Sequence, residues 1–266
     1  MKKLIFIFIL FTYFISFAQT NLKPTPEKFN NGESVYSVIY HGKNIGEFWP
    51  VHGINLVTKK TNPALFQENV DMVILHQKLG GVATAPDGMT SASIGLTEGR
   101  CLVQGVECGT NETKDYGVVL VQHGYIITFT HARELRQFDT FYENQKKKGS
   151  TLFFLPSIKR TDIHGEIHML RHNTKIQRLL VQRITPSEQQ IGVIVFDDMT
   201  TYNQSIQIMD GLDRDYQNGS PKSRTKHIYV LDGGPAYGQC VKEVNGKIKL
   251  VGTRKPGFNS NYLVFY

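Results

Sequence analysis

The chain has little cysteine or tryptophan: 3 Cys and 1 Trp in 266 residues. Three cysteines (Cys101, Cys108 and Cys240) are too few for a disulfide scaffold, so the fold has to rest on an apolar core. There is no C-x-x-C pair, no H-E-x-x-H and no G-x-S-x-G. These absences argue against a thiolate zinc site, a zinc protease and a serine-hydrolase elbow. No Lys/Arg stripe is interleaved with aromatics, and a formal charge of +7 is mild, so nothing marks a nucleic-acid footprint. Beyond the N-terminus no apolar run is long enough to span a bilayer. Internal repeats and low-complexity linkers are missing as well. What remains, 40% apolar and 20% charged residues, is the composition of an ordinary folded protein.

The N-terminus has its own pattern. Lys2 and Lys3 precede fourteen uncharged residues, LIFIFILFTYFISF, and Ser16-Phe17-Ala18 forms a small-x-small cleavage site before Gln19. This predicts a secretory signal peptide over 1–18, cleaved after Ala18, and a periplasmic or extracellular protein. In that oxidising setting Cys101 and Cys108 lie close enough to bridge across a turn, and the odd count leaves one thiol over.

Residues 19–33, polar with two prolines, read as a flexible lead-in to a single domain over 34–266. Short Val/Ile/Tyr-rich runs bounded by Gly, Asn and Asp predict strands at 34–40, 53–58, 69–75, 117–122 and 124–130. His123-Gly124 stands where a tight hairpin turn would. Helical spacing of Leu135, Phe138 and Tyr142 predicts a helix over 132–147. That of Tyr202, Ile206 and Met209 predicts another over 200–212, capped by Thr200 or Thr201. Further strands are expected at 176–184, 191–196 and 227–231, around the hairpin signal Asn245-Gly246, and at 261–266, where the last strand seals a sheet. The sum is a mixed α+β fold, mostly antiparallel sheet with a few helices.

The most suggestive junction is HIYVLDGGPAYGQ. An apolar strand delivers Asp232 at its tip, and Gly233-Gly234 let the backbone turn sharply and a ligand come close. The competing reading is a plain Asp-Gly turn. Leu231-Asp232-Gly233-Gly234 resembles the signature of the phosphodiester glycosidase family, whose members include uncovering-enzyme-like proteins and many secreted bacterial ones. Gly80-Gly81, Pro86-Asp87-Gly88, Ser93-Ile94-Gly95-Leu96 and Gly99-Arg100 are similar, in order, to that family's N-terminal block. Arg254 followed by Asn261 and an apolar tail resembles its closing pattern. The chain departs at Leu79, where the family usually has Asn before the Gly-Gly pair. It departs again at Pro235-Ala236-Tyr237, where hydroxyl residues often stand.

The resemblance implies a secreted hydrolase that cleaves a sugar phosphodiester or related glycan linkage. Asp232 and Arg254 would be catalytic. Gly80, Gly81, Asp87, Arg171, Gly233, Gly234 and Asn261 would bind substrate. Such a reaction needs a stabilised oxocarbenium-like centre and a cation facing the departing phosphate, which an Arg fork can match bidentately. Two alternatives stay open: a catalytically silent glycan-binding protein of the same fold, and an extracellular structural or adhesion module. The sequence commits to no cofactor. A divalent metal is a candidate at His164, Glu166, His168 and His172, which align as strand or helix, or (as Ca²⁺) at Asp197, Asp198, Asp210, Asp213 and Asp215. The acidic set reads better as a solvated loop.

Overall fold

The Val/Ile/Tyr-rich runs pair into antiparallel sheets. A computed structural model describes residues 20–66, 71–86, 90–91, 96–97, 99–113, 116–158, 175–184, 189–215, 224–231, 239–252 and 261–266. The first half contains β1 (Thr20–Lys28), β2 (Ser34–Tyr40), β3 (Lys43–Pro50), β4 (Ile54–Thr58), helix α1 (Met72–Leu79), β5 (Ala83–Pro86), β6 (Thr90–Ser91), β7 (Leu96–Thr97), β8 (Leu102–Val103), β9 (Val106–Glu107), β10 (Gly117–Gln122) and β11 (Ile126–His131). The second half contains α2 (Phe138–Lys147), β12 (Thr151–Leu155), β13 (Lys175–Ile184), β14 (Gln189–Thr201), α3 (Tyr202–Asp215), β15 (Arg224–Leu231), β16 (Gln239–Val244), β17 (Lys247–Gly252) and β18 (Asn261–Phe265).

Three large sheets result, in the orders β1-β2-β3-β14-β13-β15, β11-β10-β12-β8-β9 and β17-β16-β5-β18-β4. Among the described residues the fold is therefore mostly antiparallel sheet with three helices, in line with the mixed α+β expectation. Along β13 and β14 the side chains alternate between two buried faces. Leu180, Val193 and Val195 join the main core shared by all three sheets. Leu179, Val181, Ile194 and Phe196 pack with Ile208, Met209 and Leu212 of α3. A reciprocal cap starts α3: Thr201 Oγ1 accepts from Gln204 N at 3.3 Å, and Gln204 Oε1 accepts from Thr201 N at 2.9 Å. Asn245 and Gly246 turn at φ 49° and 75°, as the Asn-Gly hairpin signal requires.

Three expectations are corrected. Residues 20–28 are not a flexible lead-in. They form β1, an edge strand paired with β2, and an edge is where strand prolines such as Pro24 are tolerated. Of the run 69–75 expected as a strand, the described residues 71–75 are not one. From Met72 it becomes α1, because Asp71 caps Val73 N at 2.8 Å and Met72 and Leu75 share one apolar face against Val241 and Tyr262. The β-branched Val73-Ile74 pair disguised the helical spacing. The helix expected over 132–147 breaks at Gln137, which is left-handed at φ 54°. Its first part is a short 3₁₀ turn, Ala132–Glu134, capped by His131.

Cys101 and Cys108 form a disulfide across the β8–β9 hairpin, and Cys240 is free and buried. The bridge is compatible with an extracellular location. Among the described residues no helix is long and apolar enough to cross a membrane.

Within this apolar core an ionic contact joins the first and third sheets. Lys242 of β16 is fully buried. Its Nζ donates to Glu27 Oε2 at 3.0 Å and to Glu47 Oε2, and it lies 5.5 Å from the centre of the Trp49 ring. Trp49 Nε1 donates to the same Glu47 carboxylate at 2.8 Å. Lys249 of β17 reaches Glu27 at 2.7 Å and Glu47 at 3.6 Å, and with Lys242 it holds the Glu27 carboxyl below its usual range. A buried ammonium that loses a partner is costly, whereas half-exposed carboxylates can turn to water. Glu47→Gln is therefore expected to cost about 3 kcal/mol and Lys242→Met about 1 kcal/mol in urea unfolding. The reverse order would contradict this account of the contact.

Candidate active site

Strand register decides which loops can meet. In the third sheet Gly252 lies opposite Gln239, Tyr262 opposite Pro86 and Asn261 opposite Thr58. The Val241–Thr84 pairing carries Gln239 to the level of Pro86. The strand ends thus line up across the sheet as Gly252, Gln239, Pro86, Asn261 and Thr58. This rim is where the chain enters or leaves three stretches singled out by the sequence. Asp87 follows Pro86. Arg254 lies between Gly252 and Asn261. Asp232, Gly233 and Gly234 lie between Leu231 and Gln239. Asp87, Arg171, Asp232, Gly233, Gly234 and Arg254 fall outside the described residues. Asn261 is described, and it is buried at the first position of β18.

Leu231 belongs to a different sheet, yet it is tied to this rim. It pairs with Arg178 of β13. The Arg178 guanidinium crosses between sheets, Nε donating to Cys240 Sγ one residue inside the rim. Arg178 is fully buried, and a guanidinium stays charged at any physiological pH. A permanent cation therefore sits in the interior where the Asp-Gly-Gly stretch leaves one sheet and enters the other. Sequence reasoning passed over Arg178. Its signal was an arginine inside the otherwise apolar run IQRLLVQRI, since buried arginines are rare unless partnered. Burial pushes the Cys240 thiol above its ordinary pKa, with Arg178 opposing. It stays protonated near neutral pH and is no nucleophile.

Gly80 and Gly81 are elsewhere. Gly80 closes α1, its N–H donating to His76 O at 2.9 Å, with φ 73° and ψ −166°, a region open essentially to glycine alone. Gly81, at φ 87°, crosses the end of β18 so closely that a Cβ there would lie 2.6 Å from both Phe265 O and Val264 Cγ1. The pair stands at the start of β5, about 17 Å of extended strand from Pro86. Leu79 stays with it, packed against the Met72, Leu75, Val241 and Tyr262 cluster. Between α1 and β5 the buried His76 hydrogen-bonds Thr84 Oγ1 at 2.6 Å, and burial lowers its pKa, so the ring is neutral.

Among the candidate metal residues, the described acidic ones do not group. His164, Glu166, His168 and His172 fall outside the described residues. Asp213 is not in a solvated loop: it is buried on α3, where its carboxylate accepts from Thr225 N at 2.9 and 3.0 Å and from Thr225 Oγ1 at 2.8 Å. Asp197 and Asp198 are exposed on β14. Among the described residues no three of His, Cys, Asp and Glu group to hold a metal ion.

Two predictions follow from this geometry. Gly81→Ala is expected to lower stability by about 3 kcal/mol and Gly80→Ala by about 1–2 kcal/mol, because both meet backbone strain but only the first meets atoms; thermal melts followed by circular dichroism measure the difference. Ellman's reagent is expected to find no reactive thiol in the native protein and one, Cys240, after denaturation. A fast-reacting native thiol would contradict the burial.

No protein-family model matches the chain, and no curated protein matches it. Among solved structures it is similar to the zebrafish N-acetylglucosamine-1-phosphodiester alpha-N-acetylglucosaminidase catalytic domain, auto-inhibited by its pro-peptide. The TM-score is 0.54 at 12% identity, covering 94% of this chain and 83% of that one. It is also similar to a hypothetical protein from Synechocystis, with a TM-score of 0.46 at 11% identity over 93% of this chain and 68% of that one. At 12% identity the first likeness is one of fold: this chain shares the fold of the zebrafish catalytic domain.

Proposed function

We propose that the protein is an exported hydrolase of the phosphodiester glycosidase type, acting on a sugar phosphodiester or related glycan linkage at the rim of the third sheet. The observation that carries this reading is the alignment of Gly252, Gln239, Pro86 and Asn261 along one sheet end, with the buried Arg178 joining Leu231 to the same end. The stretches holding Asp87, Asp232 and Arg254 all begin or end there. The shared fold with a phosphodiester glycosidase catalytic domain adds to it, and residues 1–18 supply the export signal.

In this proposal Asp232 serves as base for a water or as electrostatic partner of the sugar cation. Arg254 faces the phosphate, and Asp87, Gly233, Gly234 and Asn261 line the sugar. Arg171 is a second phosphate contact. Arg178, beneath the site, holds a positive potential that favours the departing anion. A phosphate monoester is a good leaving group, so charge stabilisation matters more than acid assistance.

Purified protein should turn over a chromogenic sugar phosphodiester. Asp232→Ala is expected to lower kcat by about 10²–10⁴-fold, and Arg254→Ala chiefly for phosphate-bearing substrates. EDTA reads whether a cation takes part. Turnover unchanged in Asp232→Ala would sink the assignment. Saturable glycan binding with no turnover would make the rim a binding site instead, and neither would leave the structural or adhesion module.

A further inference from the structure

The opposite end of the third sheet holds a second concavity that the hydrolase reading does not use. Strands β4 and β18 end there at Ile54 and Tyr266, away from Thr58 and Asn261. The cleft encloses about 830 Å³, within the roughly 300–1,000 Å³ of small-ligand sites. One wall is His52 to Asn55 with Tyr266, the second is the β10–β11 turn from Gln122 to Tyr125, and the third is Gln104 with the segment from Lys148 to Thr151.

The walls are hydrogen-bonded to one another and preformed. Tyr266 N donates to Gly53 O at 3.0 Å, and His52 N donates to Tyr266 O at 2.7 Å. A Cβ on Gly53 would lie 2.9 Å from Gly124 O, so glycine lets the turn close on the first wall. Across the cleft, Gln104 N donates to Thr151 Oγ1 at 3.1 Å. Gln145 Oε1 accepts from Ser150 Oγ at 2.9 Å and Gln122 Nε2 at 3.4 Å, linking two walls. Gln104 and His123, both lining residues, hold positive φ of 51° and 53°. Each opens a hairpin turn with the glycine that follows it, so turn geometry fixes these two corners of the lining.

The lining selects the ligand by elimination. Among the described residues it contains no carboxylate side chain and a single fixed cation, Lys148, so it suits neither a metal ion nor a polyanion. An apolar ligand would strand the side-chain amides of Asn55 and Gln104. Yet Tyr125 is 67% exposed and Tyr266 is 41% exposed, offering apolar ring faces with polar tips to solvent. Flat apolar faces beside neutral donors and acceptors match a molecule with a C–H face and a hydroxyl rim. We propose that this cleft binds a neutral saccharide chain, independently of whatever the opposite rim does.

The test is calorimetric titration of the full protein with cellotetraose, chitotetraose and maltotetraose, which span β-linked, N-acetylated and α-linked glucans. At least one is expected to bind saturably. Tyr125→Ala and Tyr266→Ala are expected to weaken it about tenfold or more each, and Gln104→Ala to weaken it with the fold intact by circular dichroism. Tyr125 lies at an exposed turn tip, so its loss leaves the core untouched. No binding of any of the three at about 10 mM, a free-energy floor near −3 kcal/mol, would overturn the proposal. Binding indifferent to both tyrosine substitutions would overturn it equally.

Discussion

The architecture depends on the inner face of β16. Cys240 and Lys242 are two residues apart and so point the same way, toward the six-stranded sheet, while Val241 points to α1. Cys240 meets Arg178 of β13, and Lys242 meets Glu27, Glu47 and Trp49 from β1 and β3. Most of the core between the sheets is apolar and would tolerate sliding. These two polar contacts would not, because a slip of one residue would turn Lys242 into the Met72–Leu75 face and leave an ammonium in hydrocarbon. Replacing such an ion pair by well-packed apolar side chains often costs little stability. Its contribution here lies in register: it specifies which part of one sheet faces which part of the other.

Register in turn makes the rim. The chain must pass from Leu231 in one sheet to Gln239 in another within seven residues, 232–238. Both ends of that passage are fixed, Leu231 by pairing with Arg178 and Gln239 by pairing with Gly252. Arg178 then binds Cys240 and ties the two anchors together. The Asp-Gly-Gly sequence occupies that passage. Its position in the chain and the sheet contact set by Lys242 are thus parts of one constraint.

Much of this was legible in the sequence where a local pattern and the tertiary environment agree. The strands 34–40, 117–122 and 261–266 follow from their β-branched, aromatic runs, and the Asn245-Gly246 turn from its chemistry. The fold failed to show where tertiary context overrode the pattern. Prolines in residues 20–28 look like a loop unless the strand is known to be an edge. Val73-Ile74 looks like a strand unless the Asp71 cap and the apolar face of α1 are seen together. Arg178 and Lys242 were hidden because a charge in a sequence reads as surface, and only pairing from distant strands makes burial affordable. The motif pointed to stretches of chain whose flanking strands end together, but not to the sheet end that gathers those strands.

The departure at Leu79 acquires a different meaning once its place is known. From the sequence, a leucine in place of an asparagine before Gly80-Gly81 suggests a polar group removed from a reactive site. In the fold, Leu79 ends α1 and packs with Met72, Leu75 and Tyr262, and Gly80 and Gly81 serve to stop the helix and pass close to Phe265. All three sit at the start of β5, whereas Asn261 and Pro86 mark the other end. An apolar side chain there fills the cluster under α1 and withdraws no hydrogen bond from the rim. Leu79 therefore gives no reason to prefer a silent glycan-binding protein over a hydrolase. That choice is left to the stretches holding Asp232 and Arg254, whose flanking strands end at the rim.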